Sequence, residues 1–116
     1  MAEDLPKDLG LRFRETAPIH EALKKTKAYR DLRLHGRSGF ISDLFLTPQE
    51  ANTHPPILLD LCDDGIVAFD RNDFLKGVLG DIGTRLKELR AKKVRASKGY
   101  YWILKPDAKP SEVVEI

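Results

Sequence analysis

Hydrophobic residues recur at three- and four-residue steps between positions 72 and 92, which is typical of a helix with one apolar face. Asp70 or Asn72 is placed to cap the start of this helix, and lysines and arginines crowd its end, where a helix favours cations. The segment is therefore predicted to be a long helix, the most clearly defined element of the chain. Its apolar face consists of Phe74, Leu75, Val78, Leu79, Ile82, Leu86 and Leu89.

Three glycines interrupt this helix at a spacing of three, at Gly77, Gly80 and Gly83. Each is expected to destabilise the helix by roughly 0.8–1 kcal/mol relative to alanine. One interpretation is a close backbone approach along that side, such as a subunit contact. The other is a surface stripe with no role.

Other helices are predicted from start signals. A helix near 16–29 has Pro18 in its first turn, where proline is tolerated. The run Thr47-Pro48-Gln49-Glu50 combines a capping threonine, a first-turn proline and a glutamate three residues on. A further short helix is predicted over 56–63.

Short alternating or continuous apolar runs predict strands near 33–34, 40–46, 66–69, 94–96 and 100–104. In the run 40–46, Asp43 lies on the face opposite to Phe40 and Leu44. The last two strands are predicted to form a hairpin around Ser97-Lys98-Gly99. These elements predict a mixed α/β (α+β) fold, with a short mixed sheet flanked by helices. We expect one domain over 1–116, with a surface tail from about 105.

The composition fits a folded domain of 116 residues, and its net charge of +2 does not by itself indicate a nucleic-acid partner. Cys62 is the only cysteine, so a reducing compartment is expected, and Cys62 itself is expected to lie in the core. The N-terminus has no apolar run resembling a signal peptide, and no stretch is long enough to span a membrane. A cytoplasmic location without membrane contact is the resulting prediction.

Sequence motifs for catalysis or metal binding are absent. There is no Gly-x-Ser-x-Gly elbow, no Cys-x-x-Cys pair and no glycine-rich phosphate loop. An acidic cluster between 60 and 73 is better explained by a turn at Asp63-Asp64-Gly65 and a helix cap than by a cation site. No metal site and no cofactor are predicted for these residues.

A basic cluster follows the long helix and adjoins the aromatic run Tyr100-Tyr101-Trp102. Cations beside aromatic rings can hold phosphates while bases stack on the rings. The alternative is a helix end enriched in cations, followed by a strand whose aromatic side chains face the core. A nucleic-acid partner is therefore unlikely, whereas binding of a nucleotide phosphate stays possible. The candidate phosphate or nucleic-acid ligands are Arg90, Lys92, Lys93 and Arg95.

Four segments, taken in order, carry a resemblance to a known family. They are FISDLFLTPQE at 40–50, PPILLDLCDDGIVAFDR at 55–71, KGYYWILKPD at 98–107 and EVVEI at 112–116. Together they resemble the C-terminal two-thirds of small prokaryotic nucleotidyltransferases, the minimal branch of the DNA polymerase beta-like superfamily. The resemblance covers the chain from about Leu5 to its end and implies a truncated nucleotidyltransferase-like fold.

The resemblance also implies a chemistry. The family uses a Gly-Ser and an Asp-x-Asp strand, with a third carboxylate on a later strand, to hold two Mg²⁺ ions on a nucleoside triphosphate. This sequence contains neither Gly-Ser nor Asp-x-Asp, and Asp43 is the candidate for the third carboxylate. The expected function is a nucleotidyltransferase-family domain without a complete catalytic site, acting through protein or nucleotide interaction.

Two alternatives remain open. The chain is a fragment of an active Mg²⁺-dependent nucleotidyltransferase acting on a protein or small-molecule acceptor, or it is a basic nucleic-acid-binding module. Some members of the family it resembles act as antitoxins beside a helical toxin of the HEPN class. The expected partners are therefore a second copy, through an exposed sheet edge, or a HEPN-type protein.

Overall fold

The computed structural model describes residues 4–116, and the chain forms two compact units with their boundary between Gln49 and Glu50. The described residues form five α-helices and one two-stranded sheet. This mixture confirms the predicted α+β class. Within residues 4–116, no helix is both long enough and apolar enough to cross a bilayer.

The first unit contains two helices, α1 (Leu9–Lys24) and α2 (Lys27–Leu34). Asp8 caps α1, because its carboxylate accepts a hydrogen bond from the backbone N–H of Leu11 at 3.1 Å. Thr26 caps α2 in the same way, by accepting from the N–H of Tyr29 at 3.2 Å. The prediction of one helix near 16–29 was therefore right about helical structure and wrong about its bounds. The Asp8 cap starts a helix before residue 16, and the Thr26 cap starts a second helix within the predicted range.

The strand predicted near 33–34 is wrong, because these residues form the last turn of α2. Thr26 starts a new helix after the break at Lys25, and the chain from Lys27 onward continues it. A run of only two apolar residues carried too little periodicity to distinguish the two structures.

Residues 37–47 run without helix, turn or bend, and residues 38–46 are called the extended segment below. The strand predicted over 40–46 is wrong in this structure, as is the one over 66–69. Both have the expected apolar side chains, but no other strand lies alongside either of them in the part of the chain that the structure describes. A strand requires such a partner for its backbone groups.

The boundary between the units falls within α3 (Pro48–Asn52). The second unit is built on α4 (Ile57–Asp64) and α5 (Phe74–Glu88), with a 3₁₀ turn at Arg71–Asp73. The three predicted helices are thereby confirmed, α3 beginning at the proline of its start signal. Asp73 occupies the N-cap position of α5 without a side-chain hydrogen bond. Asp70, one of the two predicted caps, supplies the bonds instead: its two carboxylate oxygens accept from the N–H groups of Leu75 and Lys76 at 2.9 and 2.8 Å. Apolar residues of α4 and α5 pack together, and Ile82 at their centre is fully buried.

A hairpin completes the second unit, with β1 (Lys92–Ala96) antiparallel to β2 (Gly99–Ile103). Its register pairs Lys93 with Trp102 and Arg95 with Tyr100. Gly99 has a φ of 132°, which a residue with a side chain rarely adopts. The predicted hairpin is confirmed. The predicted mixed sheet is corrected to a two-stranded antiparallel one within the described residues, because the other predicted strands are unpaired.

The tail after the hairpin has no helix or strand, but two backbone contacts hold its end. Arg85 donates from Nε to the carbonyl of Glu115 at 3.0 Å, and His54 Nδ1 lies 2.8 Å from the carbonyl oxygen of Ile116. Lys105 and Glu112 form an ion pair within the tail.

Burial is distributed unequally between the two units. All the buried hydrophobic residues among those described belong to the second unit: Ala51, Leu58, Leu59, Val78, Ile82, Leu86 and Leu89. The buried residue of the first unit is the polar Arg12, while Leu9, Phe13 and Ile19 of α1 are half or more exposed. The first unit therefore has no buried apolar core in its described part.

Candidate functional site

Three polar residues of α1 form one face of the helix toward the extended segment. Arg12, Thr16 and His20 recur at four-residue steps, so their side chains lie above one another on the helix surface. Arg12 donates from Nη1 to the carbonyl of Phe45 at 2.9 Å and from Nε to the carbonyl of Pro6 at 2.5 Å. The guanidinium thus fastens the extended segment to α1 from a buried position.

Asp43 accepts hydrogen bonds from the other two residues of this face. Thr16 donates its hydroxyl to Oδ2 of Asp43 at 2.9 Å, and His20 places Nε2 2.5 Å from the same oxygen. The hydrogen bond from His20 holds the pKa of Asp43 below its ordinary value against the opposing effect of burial, and the Thr16 hydroxyl adds to the lowering. Asp43 is thereby held as a carboxylate.

A cavity of about 130 Å³ lies beside His20. Its walls include Lys24 and Arg33 from the two helices, the ring of Tyr29, and Ser38 at the start of the extended segment. Two cations and a hydroxyl beside an imidazole are donors suited to an anionic group such as a phosphate or a carboxylate. Ser38 Oγ also accepts a hydrogen bond from the N–H of Phe40 at 3.2 Å.

The surroundings of Asp43 bear on its prediction as a third metal-binding carboxylate, which stays a prediction. Its described neighbours are an imidazole and a hydroxyl rather than further carboxylates. Among residues 4–116, no group of three or more His, Cys, Asp or Glu side chains is placed to hold a metal ion. What the geometry supports directly is a carboxylate that orients an imidazole, an arrangement that fixes the tautomer of His20.

The structure does not bring the four predicted phosphate-binding residues together. Lys93 is engaged by the acidic end of α4, with Nζ at 3.1 Å from Asp63, 3.4 Å from Asp60 and 3.5 Å from Asp64. The hydrogen bond to Asp63 raises the pKa of Lys93, so the ammonium stays charged within this cluster. Nζ also lies over the Trp102 ring, at 5.8 Å from its centroid.

The other three predicted ligands are exposed. Lys92 and Lys93 are consecutive on β1, so their side chains point to opposite faces of the hairpin. Arg95 shares the face of Lys93, and Arg90 precedes the strand with a φ of 56°. The basic residues on β1 are therefore divided between the two faces of the hairpin, and the charge of Lys93 is balanced by carboxylates of the same unit.

Trp102 joins the hairpin to α4. Its indole N–H donates to Oδ1 of Asp60 at 2.9 Å, and this bond is the main cause that lowers the pKa of Asp60. Cys62 on α4 is half-buried and donates its S–H to the carbonyl of Leu79 at 3.2 Å, and burial raises its pKa. Cys62 is thus a packing residue in contact with α5, not an activated thiol.

Sequence reasoning missed Arg12, Thr16 and His20. The signal that would have found them is their regular spacing on the side of α1 that should have been apolar. A polar stripe there indicates that the neighbouring segment offers hydrogen-bonding groups rather than apolar side chains that could form a core.

Comparison of the chain with models of known protein families, with curated proteins and with solved structures finds no match.

Proposed function

We propose that the chain is a nucleotidyltransferase-like domain that lacks a complete catalytic site and acts by binding protein, either a second copy or a helical HEPN-type partner. The sequence resemblance supports the first part of the proposal. The observation that supports the second is the apolar surface left exposed, above all on residues 38–46 and 66–69. Phe40 is 83%, Ile66 95% and Phe69 80% exposed, and large uncovered apolar patches mark interaction sites.

The catalytic part of the proposal is tested with radiolabelled nucleoside triphosphates. The purified chain, incubated with Mg²⁺ and each of the four triphosphates, is expected to incorporate no label into itself or into added protein. The alternative of an active Mg²⁺-dependent transferase predicts labelling that is lost on chelation of Mg²⁺. Metal-dependent labelling would overturn the proposal.

Interaction with a nucleotide is a second candidate, favoured by the cavity beside His20. Lys24 and Arg33 there would hold a phosphate group. Binding of ATP, measured by calorimetry, is expected to weaken in Arg33→Met and to be unchanged in Arg90→Met. The opposite ranking would favour the predicted basic cluster and, with it, the nucleic-acid alternative.

A further inference from the structure

The extended segment is held in place by α1 along one face only. Arg12 binds the carbonyl of Phe45, and Thr16 and His20 bind the side chain of Asp43. The Phe45 ring meets that of Phe13 edge-on, with 6.1 Å between their centroids. These contacts attach the segment to one helix at its central and C-terminal positions, Asp43 and Phe45.

The backbone groups in the middle of this segment are unpaired among the residues that the structure describes. The N–H of Phe40 and the carbonyl of Phe45 are hydrogen-bonded, and both bonds go to side chains. From Ile41 to Leu44, no N–H or carbonyl is paired with another described residue. A row of free donors and acceptors on extended backbone is the template to which another strand adds.

The outward face of the segment lacks the features that natural edges use against such pairing. Phe40 and Leu44 are 83% and 56% exposed, with Ser42 between them in the sequence. There is no proline and no outward charge from 38 to 46. The one charged residue, Asp43, is turned inward to His20. Edge strands that avoid association carry charges or prolines at such positions.

We infer that the extended segment pairs antiparallel with the same segment of a second copy, about a two-fold axis at Ser42. This inference rests on the proposed function and names its partner and contact. In that register Phe40 faces Leu44 of the second copy, and Asp43 faces Ile41, so no two like charges are opposed. A register centred on Asp43 would instead place the two carboxylates opposite each other.

Exposed apolar side chains lie on the paired segment and next to it. Ile41 and Leu44 are 48% and 56% exposed, and Phe13, whose ring contacts Phe45, is 50% exposed. Pairing of two copies would bring these side chains into one interface, and a stable interface of standard size buries about 800 Å² on each partner.

Sedimentation equilibrium between 1 and 100 µM tests the pairing. The wild-type chain is expected to show twice its 13.1 kDa mass. Leu44→Lys puts an outward charge on the edge and is expected to raise the dimer dissociation constant at least about tenfold, equivalent to 1.4 kcal/mol. Leu34→Lys, at a residue that is 83% exposed at the end of α2, is the matched control and should leave the dimer intact.

A disulfide test fixes the register. In a Cys62→Ala background, Ser42→Cys is expected to give an oxidised covalent dimer, because the two Ser42 positions face each other. Ser38→Cys changes the same residue type in the same segment, but its copies lie far from the axis, so it should not cross-link. Equal cross-linking of both variants would overturn the register.

The outcomes separate this inference from the proposed function. A monomeric wild-type chain at 100 µM, or a dimer insensitive to Leu44→Lys, overturns the pairing. Neither outcome touches the nucleotidyl-transfer assay, in which metal-dependent labelling would overturn the proposed function whatever the oligomeric state.

Discussion

Replacing Gly77 or Gly80 of α5 by alanine is expected to stabilise the second unit. Both glycines are exposed in the interior of a helix, and a Cβ built at either position meets no atom within 4 Å. The described chain therefore makes no close approach there, and glycine is not required by its own packing. The stabilisation has two sources, since alanine favours the helix and restricts the unfolded chain.

The magnitude follows from the helix propensity, because open space adds no term for steric strain or for a cavity. Each substitution is expected to add about 0.8–1 kcal/mol to the free energy of unfolding, and the double variant about 1.6–2 kcal/mol. With a urea dependence of about 1 kcal/mol/M, near the low end for small domains, each single variant raises the unfolding midpoint by up to about 1 M.

The assay is urea unfolding followed by fluorescence of Trp102, the single tryptophan, which lies in the same unit. Gly99→Ala is the matched control and should lower the midpoint, since its φ of 132° disfavours alanine. If Gly77→Ala and Gly80→Ala both leave the midpoint unchanged or lower it, the reasoning is refuted. The glycine stripe would then serve a contact with another backbone, the first of its two interpretations.

Three further predictions concern the core, the acid response and the hairpin. Ile82→Ala should lower the free energy of unfolding by about 3 kcal/mol, because Ile82 is fully buried. Ile19→Ala, at a residue that is 65% exposed, should change it by less than about 0.5 kcal/mol. Equal effects of the two substitutions in urea unfolding would contradict the burial pattern. Because the pKa of Asp43 is lowered in the folded chain, its stabilisation is complete above about pH 3.9 and is lost as pH falls through the lower folded value. Asp43→Asn should remove that acid-dependent step from the far-ultraviolet circular dichroism, and an unchanged profile would count against the His20 contact. Trp102→Phe, which deletes the indole hydrogen bond to a carboxylate, should cost about 1–2 kcal/mol in thermal unfolding, and full stability would show that the contact adds nothing.

Helices with strong local signals were predictable from the sequence. The apolar spacing of α5, the Asp70 cap and the proline at the start of α3 all act within a few residues, and the structure confirms each. The hairpin was predictable for the same reason, since Gly99 and the flanking runs define it locally. The local signals were insufficient at Thr26, because its side chain caps a second helix and so divides one predicted helix into two.

The candidate site was predictable only in part. Asp43 was singled out from a resemblance, but its contacts with Thr16 and His20 join residues more than twenty positions apart, and no spacing rule reaches that far. The engagement of Lys93 by α4 likewise depends on how the hairpin packs. Alternation at 40–46 predicted a strand, which the structure does not contain among the described residues. A strand requires a neighbouring strand, and the alternation itself does not specify one.

The absence of a buried apolar core in the described first unit has a thermodynamic consequence for any partner that covers it. Order in that unit rests on hydrogen bonds around Arg12 and Asp43 more than on apolar burial. Association would therefore be coupled to a gain of order in the unit itself, and part of the interaction free energy would be consumed in fixing the backbone. The heat-capacity decrease on binding should then exceed what the contact area alone accounts for, and affinity should be modest for the area covered. A surface of this kind suits an association that is reversible and selective rather than permanent.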